Sequence, residues 1–212
     1  MPCVVSKYER ELLAVLAGDE KGVAAVIKSC TEQEKERMTR IQKRPFLVVR
    51  AAGSGSEGTG DLLALRGDLC FPIEVKTTKD KKLYLSGRTK EQYDAMEREG
   101  ERCSLMPLYA HRLKGVRGDS WRIFRVETST LTGASKRLER SIPPLPLTRN
   151  GSKHIDWDKG LPLNEFISIL CNENSKLEGL KQRTDDEKIS RYYPQTSTKN
   201  VDYIAELLNR RS

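Results

Sequence analysis

Asp61-Leu62-Leu63-Ala64-Leu65-Arg66-Gly67-Asp68-Leu69-Cys70-Phe71-Pro72-Ile73-Glu74-Val75-Lys76 is the stretch that decides the fold. Asp61 to Leu65 reads as a strand, Arg66-Gly67-Asp68 as a tight turn, and Leu69 to Thr77 as the returning strand. Side chains alternate across a sheet, so Glu74 and Lys76 project from one face and Ile73 and Val75 from the other. Pairing across the turn sets Asp61 near residue 73, and a small offset or bulge brings it beside Glu74. Pro72 lacks a ladder donor, which predicts that part of this strand lies at an edge or bulge.

Working outward, Phe46 to Arg50 is a short β-branched run. It is followed by residues 51–60, where four glycines in ten positions predict a flexible loop. Upstream, Lys7 to Ala17 has helical periodicity, with Ser6 as N-cap and Glu9 at capping-box spacing. At about 100° per residue, Glu9 lies about 50° from the centre of the apolar face made by Tyr8, Leu12, Leu13, Val15 and Leu16. A carboxylate pointing along a packed face needs a cation or hydrogen bonds to meet it; the plainer role for Glu9 is as capping partner of Ser6. Residues 18–44 read as an insertion with two short helices. Downstream, a helix is expected over Lys90 to Glu99, capped by Thr89 with Gln92 and stopped by Gly100. Strands follow at Leu105 to Leu113 and Trp121 to Val126. The order helix, three strands, helix, two strands predicts an α/β sandwich with a mixed sheet.

After Glu127 the pattern changes. Thr128 to Gly133 reads as a linker and Pro143 to Pro146 as a stiff extended segment. Helices are expected at Leu163 to Cys171 and at Val201 to Asn209. The expected division is a domain over 1–127 and an extension of unknown role over 128–212.

Composition bounds the chemistry. The 212 residues carry 38 Lys and Arg against 30 Asp and Glu, a formal charge of +8. That excess makes a polyanion a sensible partner. No apolar run reaches the ~20 residues of a spanning helix, and no secretory signal pattern opens the chain. Five scattered cysteines, none in Cys-x-x-Cys, argue against a disulfide framework or zinc ribbon and for a reducing, cytoplasmic setting. The two histidines supply zinc or serine–histidine chemistry poorly. His154 and Asp156 have ligand-like spacing but are too few for a metal site. The remaining kit is oxygen-rich. Asp61 and Glu74, with Glu9 nearby, suit a hard cation such as Mg²⁺ or Mn²⁺, and Lys76 can orient a water or stabilise charge. Taken singly, Glu74-x-Lys76 is also an ordinary charged strand face, and Asp61 an ordinary strand start.

An Asp followed by Glu-x-Lys on the next strand resembles the signature of the PD-(D/E)XK nuclease superfamily. Within it, the chain resembles the archaeal-type Holliday junction resolvases. The shared motifs are Glu9-Arg10-Glu11-Leu12, Val49-Arg50 before the Gly-Ser loop, Asp61-Leu62 and Ile73-Glu74-Val75-Lys76. Leu83-Tyr84, Gln92 and the strand Trp121-Arg122-Ile123-Phe124 complete the set. Gly60 departs from the proline frequent before the aspartate. The resemblance covers residues 6–17 and 45–127. It implies a restriction-endonuclease-like α/β/α fold and metal-dependent hydrolysis of four-way DNA junctions by paired symmetric nicks leaving 5′-phosphates. It further implies that Asp61, Glu74 and the carbonyl of Val75 hold Mg²⁺ (or Mn²⁺), and that Glu9 completes the site directly or through water. Lys76 would activate the attacking water, and Arg10, Arg50 and Ser54 would meet DNA. The implied assembly is a homodimer packing through Leu83 to Met96 and Leu105 to Leu113. A restriction-type, repair or viral nuclease of the same fold, or a non-catalytic junction-binding protein, shares these residues.

Overall fold

The computed structural model describes residues 6–51 and 58–172. The first helix, α1 (Lys7–Leu16), starts where Ser6 Oγ accepts the Tyr8 N–H at 3.3 Å. Its Leu12, Val15 and Leu16 are buried. Two short helices follow, α2 (Glu20–Ile27) and α3 (Glu32–Thr39). A capping box opens α3, with Thr31 and Glu34 bonding reciprocally. Val23, Met38 and Ile41 from this stretch lie in the core, so the expected insertion forms a packed part of the helical layer.

The sheet has six strands in the order β1-β2-β3-β5-β6-β8. These are β1 (Leu47–Arg50), β2 (Leu62–Arg66), β3 (Leu69–Thr78), β5 (Leu108–Leu113), β6 (Trp121–Arg125) and β8 (Leu161–Pro162). The β3–β5 pair is parallel and the others are antiparallel, so the sheet is mixed. Between β3 and β5 the chain passes through β4 (Lys82–Tyr84) and the long helix α4 (Arg88–Cys103). A parallel pair requires such a crossover. β4 pairs with β7 (His154–Asp156) in a second small sheet. Pro72 sits where β3 is paired only to β2, because the β5 pairing begins at Ile73. The missing donor therefore interrupts no ladder on the β5 side.

Period-2 alternation splits the core into two layers. Leu108, Ala110, Trp121 and Ile123 face one side, together with Leu62, Phe71 and Ile73. Tyr109 and Phe124 face the other, where Tyr93 and Met96 of α4 meet Leu85, Leu145 and Ile155. Helices thus cover both faces of a mixed sheet, the restriction-endonuclease-like α/β/α arrangement.

Three expectations change. The first hairpin turns on two residues, since Arg66 already pairs with Leu69. The helix expected to stop at Gly100 runs on to Cys103 and ends at Ser104, whose φ is 54°. Gly100 is needed for a different reason: a Cβ there would stand 2.6 Å from Thr128 Cγ2 and 2.9 Å from Pro107. The helix also begins at Arg88 behind Gly87; Thr89 Oγ1 accepts the Ser86 N–H instead of capping.

The expected boundary lies at Glu127, whereas one compact unit continues past it to Cys171. Past Glu127 come α5 (Gly133–Leu138) and α6 (residues 163–172). Leu138, Leu163, Phe166, Ile167 and Leu170 join the first core layer, with the Phe166 ring 6.1 Å from Phe71. Buried Asp119 accepts the Asn164 backbone and side-chain N–H groups, each at 2.8 Å, which ties the start of β6 to α6. The helix expected at Val201 to Asn209 lies outside the described residues.

These five side chains contribute roughly 1.5–3 kcal/mol each on burial. Their sum rivals the ~5–15 kcal/mol net stability of a typical domain. A chain ending at Glu127 is therefore expected to lose cooperative thermal unfolding and to aggregate. A truncated chain that melts cooperatively within a few degrees of the full chain would refute that packing role.

Candidate active site

The site begins with a glycine. Gly60 adopts φ +70°, and a Cβ there would meet the Ile73 carbonyl oxygen at 2.6 Å. Only glycine lets the chain press this close to β3 in a left-handed conformation. The next residue, Asp61, donates its N–H to the Ile73 carbonyl at 2.8 Å. Its Oδ2 accepts the Val75 N–H at 2.8 Å. The two-residue turn puts Asp61 opposite Glu74 by continuing the β2–β3 register, so no bulge is required.

Glu74 is 5% exposed and accepts a hydrogen bond from Lys76 Nζ at 2.7 Å. Lys76 also donates to Gln92 Oε1 of α4 at 2.9 Å. The i, i+2 spacing puts both side chains on the α4 face, and the crossover helix supplies the second acceptor. Glu9 approaches from the first turn of α1, with Oε2 3.9 Å from Arg50 Nη2. Burial raises the Glu74 carboxyl above the usual carboxylate range; Lys76 opposes this, and Asp61 and Glu9 reinforce it. Burial likewise raises Glu9, with Asp61 adding to the rise and Arg50, the Ser6 backbone and Arg10 opposing it.

Three carboxylates thus repel one another around a single bonded ammonium. Repulsion between buried carboxylates is relieved by a cation, and an all-oxygen donor set suits a hard one. Among the described residues, no three His, Cys, Asp or Glu side chains stand close enough to hold a metal ion together. The donor set therefore fits a cation held by two carboxylates and completed by backbone oxygen and water, as Mg²⁺ tolerates. Glu9 stands alongside as an electrostatic neighbour.

The remaining residues fall in several places. Arg10 is exposed on α1 and Arg50 at the end of β1. Ser54 lies outside the described residues. The basic runs are partly engaged: Lys81 pairs with Asp158, Lys82 approaches Asp156, and Lys153 pairs with Glu127. His154 stacks under Tyr84 and serves the small sheet. The sequence suggested Gln92 as capping partner of Thr89 and as part of a family motif, not as the acceptor of Lys76, and it gave no role to Tyr109, the β5 register partner of Glu74. Nothing in the local sequence marks Tyr109, because its position depends on the β3–β5 register.

Comparison with known proteins places the chain in a family. A family model described as archaeal Holliday junction resolvase (Hjc) matches residues 27–147. A curated relative, the crossover junction endodeoxyribonuclease Hjc of Archaeoglobus fulgidus, is 30% identical over 119 residues. That stretch covers 55% of this chain and 83% of the relative. The 1.6 Å structure of Archaeoglobus fulgidus Hjc, a Holliday junction resolvase from an archaeal hyperthermophile, is similar at 25% identity with a TM-score of 0.39. It covers 66% of this chain and 95% of that chain. Glu9 precedes the family-model match, so its place in the site rests on the geometry.

Gly60→Ala is expected to lower stability by about 1–3 kcal/mol, since it combines left-handed strain with a clash at Ile73. Denaturant unfolding checks this; a midpoint equal to wild type would show that the approach of Asp61 to β3 does not need glycine.

Proposed function

Because the chain belongs to the archaeal Holliday junction resolvase family, we propose that Asp61, Glu74 and Lys76, assisted by Glu9, carry its cleavage chemistry. The chain is a metal-dependent, structure-selective endonuclease that resolves four-way DNA junctions. The observation that supports the residue assignment is the convergence of Asp61 and Glu74 across β2–β3. The Asp61 carboxylate is fixed on the Val75 N–H, and Lys76 is held between Glu74 and Gln92.

Asp61, Glu74 and the carbonyl of Val75 would hold the divalent cation, Mg²⁺ with Mn²⁺ able to substitute. When bound, it polarises a phosphate oxygen and lowers the pKa of a coordinated water. Lys76 orients that water and stabilises charge developing on the phosphate. Gln92 keeps the ammonium pointed at the site while Lys76 gives up its bond to Glu74. Glu9 acts through water, and Arg50 links it to the DNA side by meeting a phosphate. Arg10, and Ser54 from the glycine loop, make further phosphate contacts. The expected products are paired symmetric nicks with 5′-phosphates.

Opposed nicks call for two sites held at fixed separation, and hence a homodimer. β5 is an interior strand whose Leu108, Tyr109, Ala110 and His111 are fully buried, which favours another surface over the Leu105 to Leu113 half of the expected interface. The outer face of β1 and β2 suits the role better. Leu47 and Val49 are 69% and 46% exposed, and they pair in register with half-buried Leu65 and Leu63. The same face continues through Pro72 to Glu74. Among the described residues no helix is long and apolar enough to cross a membrane.

Asp61→Asn and Glu74→Gln should each abolish cleavage of a fixed four-way junction in Mg²⁺ while leaving junction binding intact, since affinity comes mainly from phosphate contacts. Gel assays on junction, linear duplex and flap check both the site and the selectivity. Cleavage by either variant at near wild-type rate would overturn the site, and equal cutting of linear duplex would overturn paired resolution.

For assembly, Leu47→Glu with Val49→Glu is expected to shift the protein toward monomer in sedimentation and to convert linear products of a cruciform plasmid into nicked circles. An unchanged dimer would move the interface elsewhere.

A further inference from the structure

Tyr109 is a buried group that the proposed chemistry does not use. It lies in β5 directly opposite Glu74 in the parallel register, so the two side chains share one face of the sheet. The residue is 0% exposed, and its hydroxyl has no hydrogen-bond partner among the described residues. Its ring stacks on Tyr93 of α4 at 6.3 Å between centroids, with the planes 21° apart. Tyr93 contrasts with it, since its own hydroxyl donates to Glu97 at 3.3 Å. A buried hydroxyl without a partner is costly, and a phenylalanine would fill the same space without that cost. Burial, with Glu74, Asp94 and Asp61 nearby, keeps the phenol protonated, so it stays a donor at any working pH.

The unspent donor matters because Lys76 is asked to do two things. Here its ammonium bonds the Glu74 carboxylate. Two of its three N–H donors already go to Glu74 and Gln92, and a cation at Glu74 repels the ammonium, so its hold on that carboxylate weakens as the site fills. We propose that Tyr109 is a positioning residue for Glu74: when a cation binds and draws the Glu74 carboxylate away from Lys76, the Tyr109 hydroxyl takes that carboxylate over and keeps it oriented toward the cation. This inference rests on the assignment of Glu74 as a cation-holding residue.

The test uses the full chain and Mn²⁺ alone, titrated by calorimetry without DNA. Tyr109→Phe should melt at or above the wild-type temperature without metal, because an unpartnered hydroxyl is removed. Its Mn²⁺ dissociation constant should rise about tenfold, the low end for losing a group that orients a metal ligand. Junction cleavage should then need more Mn²⁺ to reach half its maximum, with kcat restored at saturation. Tyr93→Phe, which removes a neighbouring hydroxyl already satisfied by Glu97, should leave Mn²⁺ affinity unchanged. An unchanged Mn²⁺ affinity in Tyr109→Phe overturns the proposal. So does a weakened affinity accompanied by a fall in the metal-free melting temperature, which marks a packing role. Glu74→Gln separates the two levels: if it binds Mn²⁺ like wild type, the Glu74 assignment itself fails. If it loses Mn²⁺ while Tyr109→Phe does not, only the role of Tyr109 fails.

Discussion

The hydrogen bond from the Val75 N–H to the Asp61 carboxylate is the contact on which the site depends. A side chain here takes a backbone donor of the sheet's central strand. The bond needs Asp61 directly before the first paired residue of β2, and it needs Gly60 to let the chain approach the Ile73 carbonyl. It holds one carboxylate still without a cation. A pre-fixed ligand loses less conformational freedom when a metal binds, which is how a two-carboxylate site gains affinity.

Around that bond, the charge balance is set by elements from three parts of the chain. α1 supplies Glu9, the hairpin supplies Asp61, Glu74 and Lys76, and the crossover helix supplies Gln92. Burial first, and the neighbouring carboxylates after it, raise the Glu9 and Glu74 carboxyls. Such a cluster costs folding free energy, and the two apolar layers offset it. α1 is fixed at its far side by Glu11, which accepts the Trp121 indole N–H at 2.9 Å and pairs with Arg112 at 2.8 Å. The Arg112 guanidinium in turn lies 4.5 Å over the Tyr8 ring. Those contacts hold the first turn of α1, and with it Glu9, against the end of the sheet.

The segments that seemed peripheral are structural. α2, α3 and the 3-10 turn Arg40–Lys43 bring Val23, Met38 and Ile41 into the first layer, and α6 closes it with Phe166 and Ile167. Arg66 donates to the Arg44 and Leu170 carbonyls and lies 4.1 Å over the Phe46 ring. One guanidinium thereby joins the end of β2 to both added segments. The sheet on its own would leave this face open, since α1 is too short to cover it.

Local pattern determined much of this protein. Strand alternation placed Glu74 and Lys76 together on one face, and helical spacing turned Glu9 toward the packed side of α1. Composition pointed to oxygen ligands and a polyanionic partner. These features follow from periods of two and 3.6 residues, which a chain carries in its own order. Tertiary structure decided the rest. Whether Asp61 reached Glu74 depended on a two-residue turn, a difference of one residue that shifts the whole register. Gly100 looked like a helix stop, but it is a close contact with Thr128 and Pro107, residues whose proximity no local window contains. Gln92 and Tyr109 entered the site through the crossover and the parallel β3–β5 pairing. The break after Glu127 was a change of composition only, because the apolar face of α6 finds its partner, Phe71, far back in sequence.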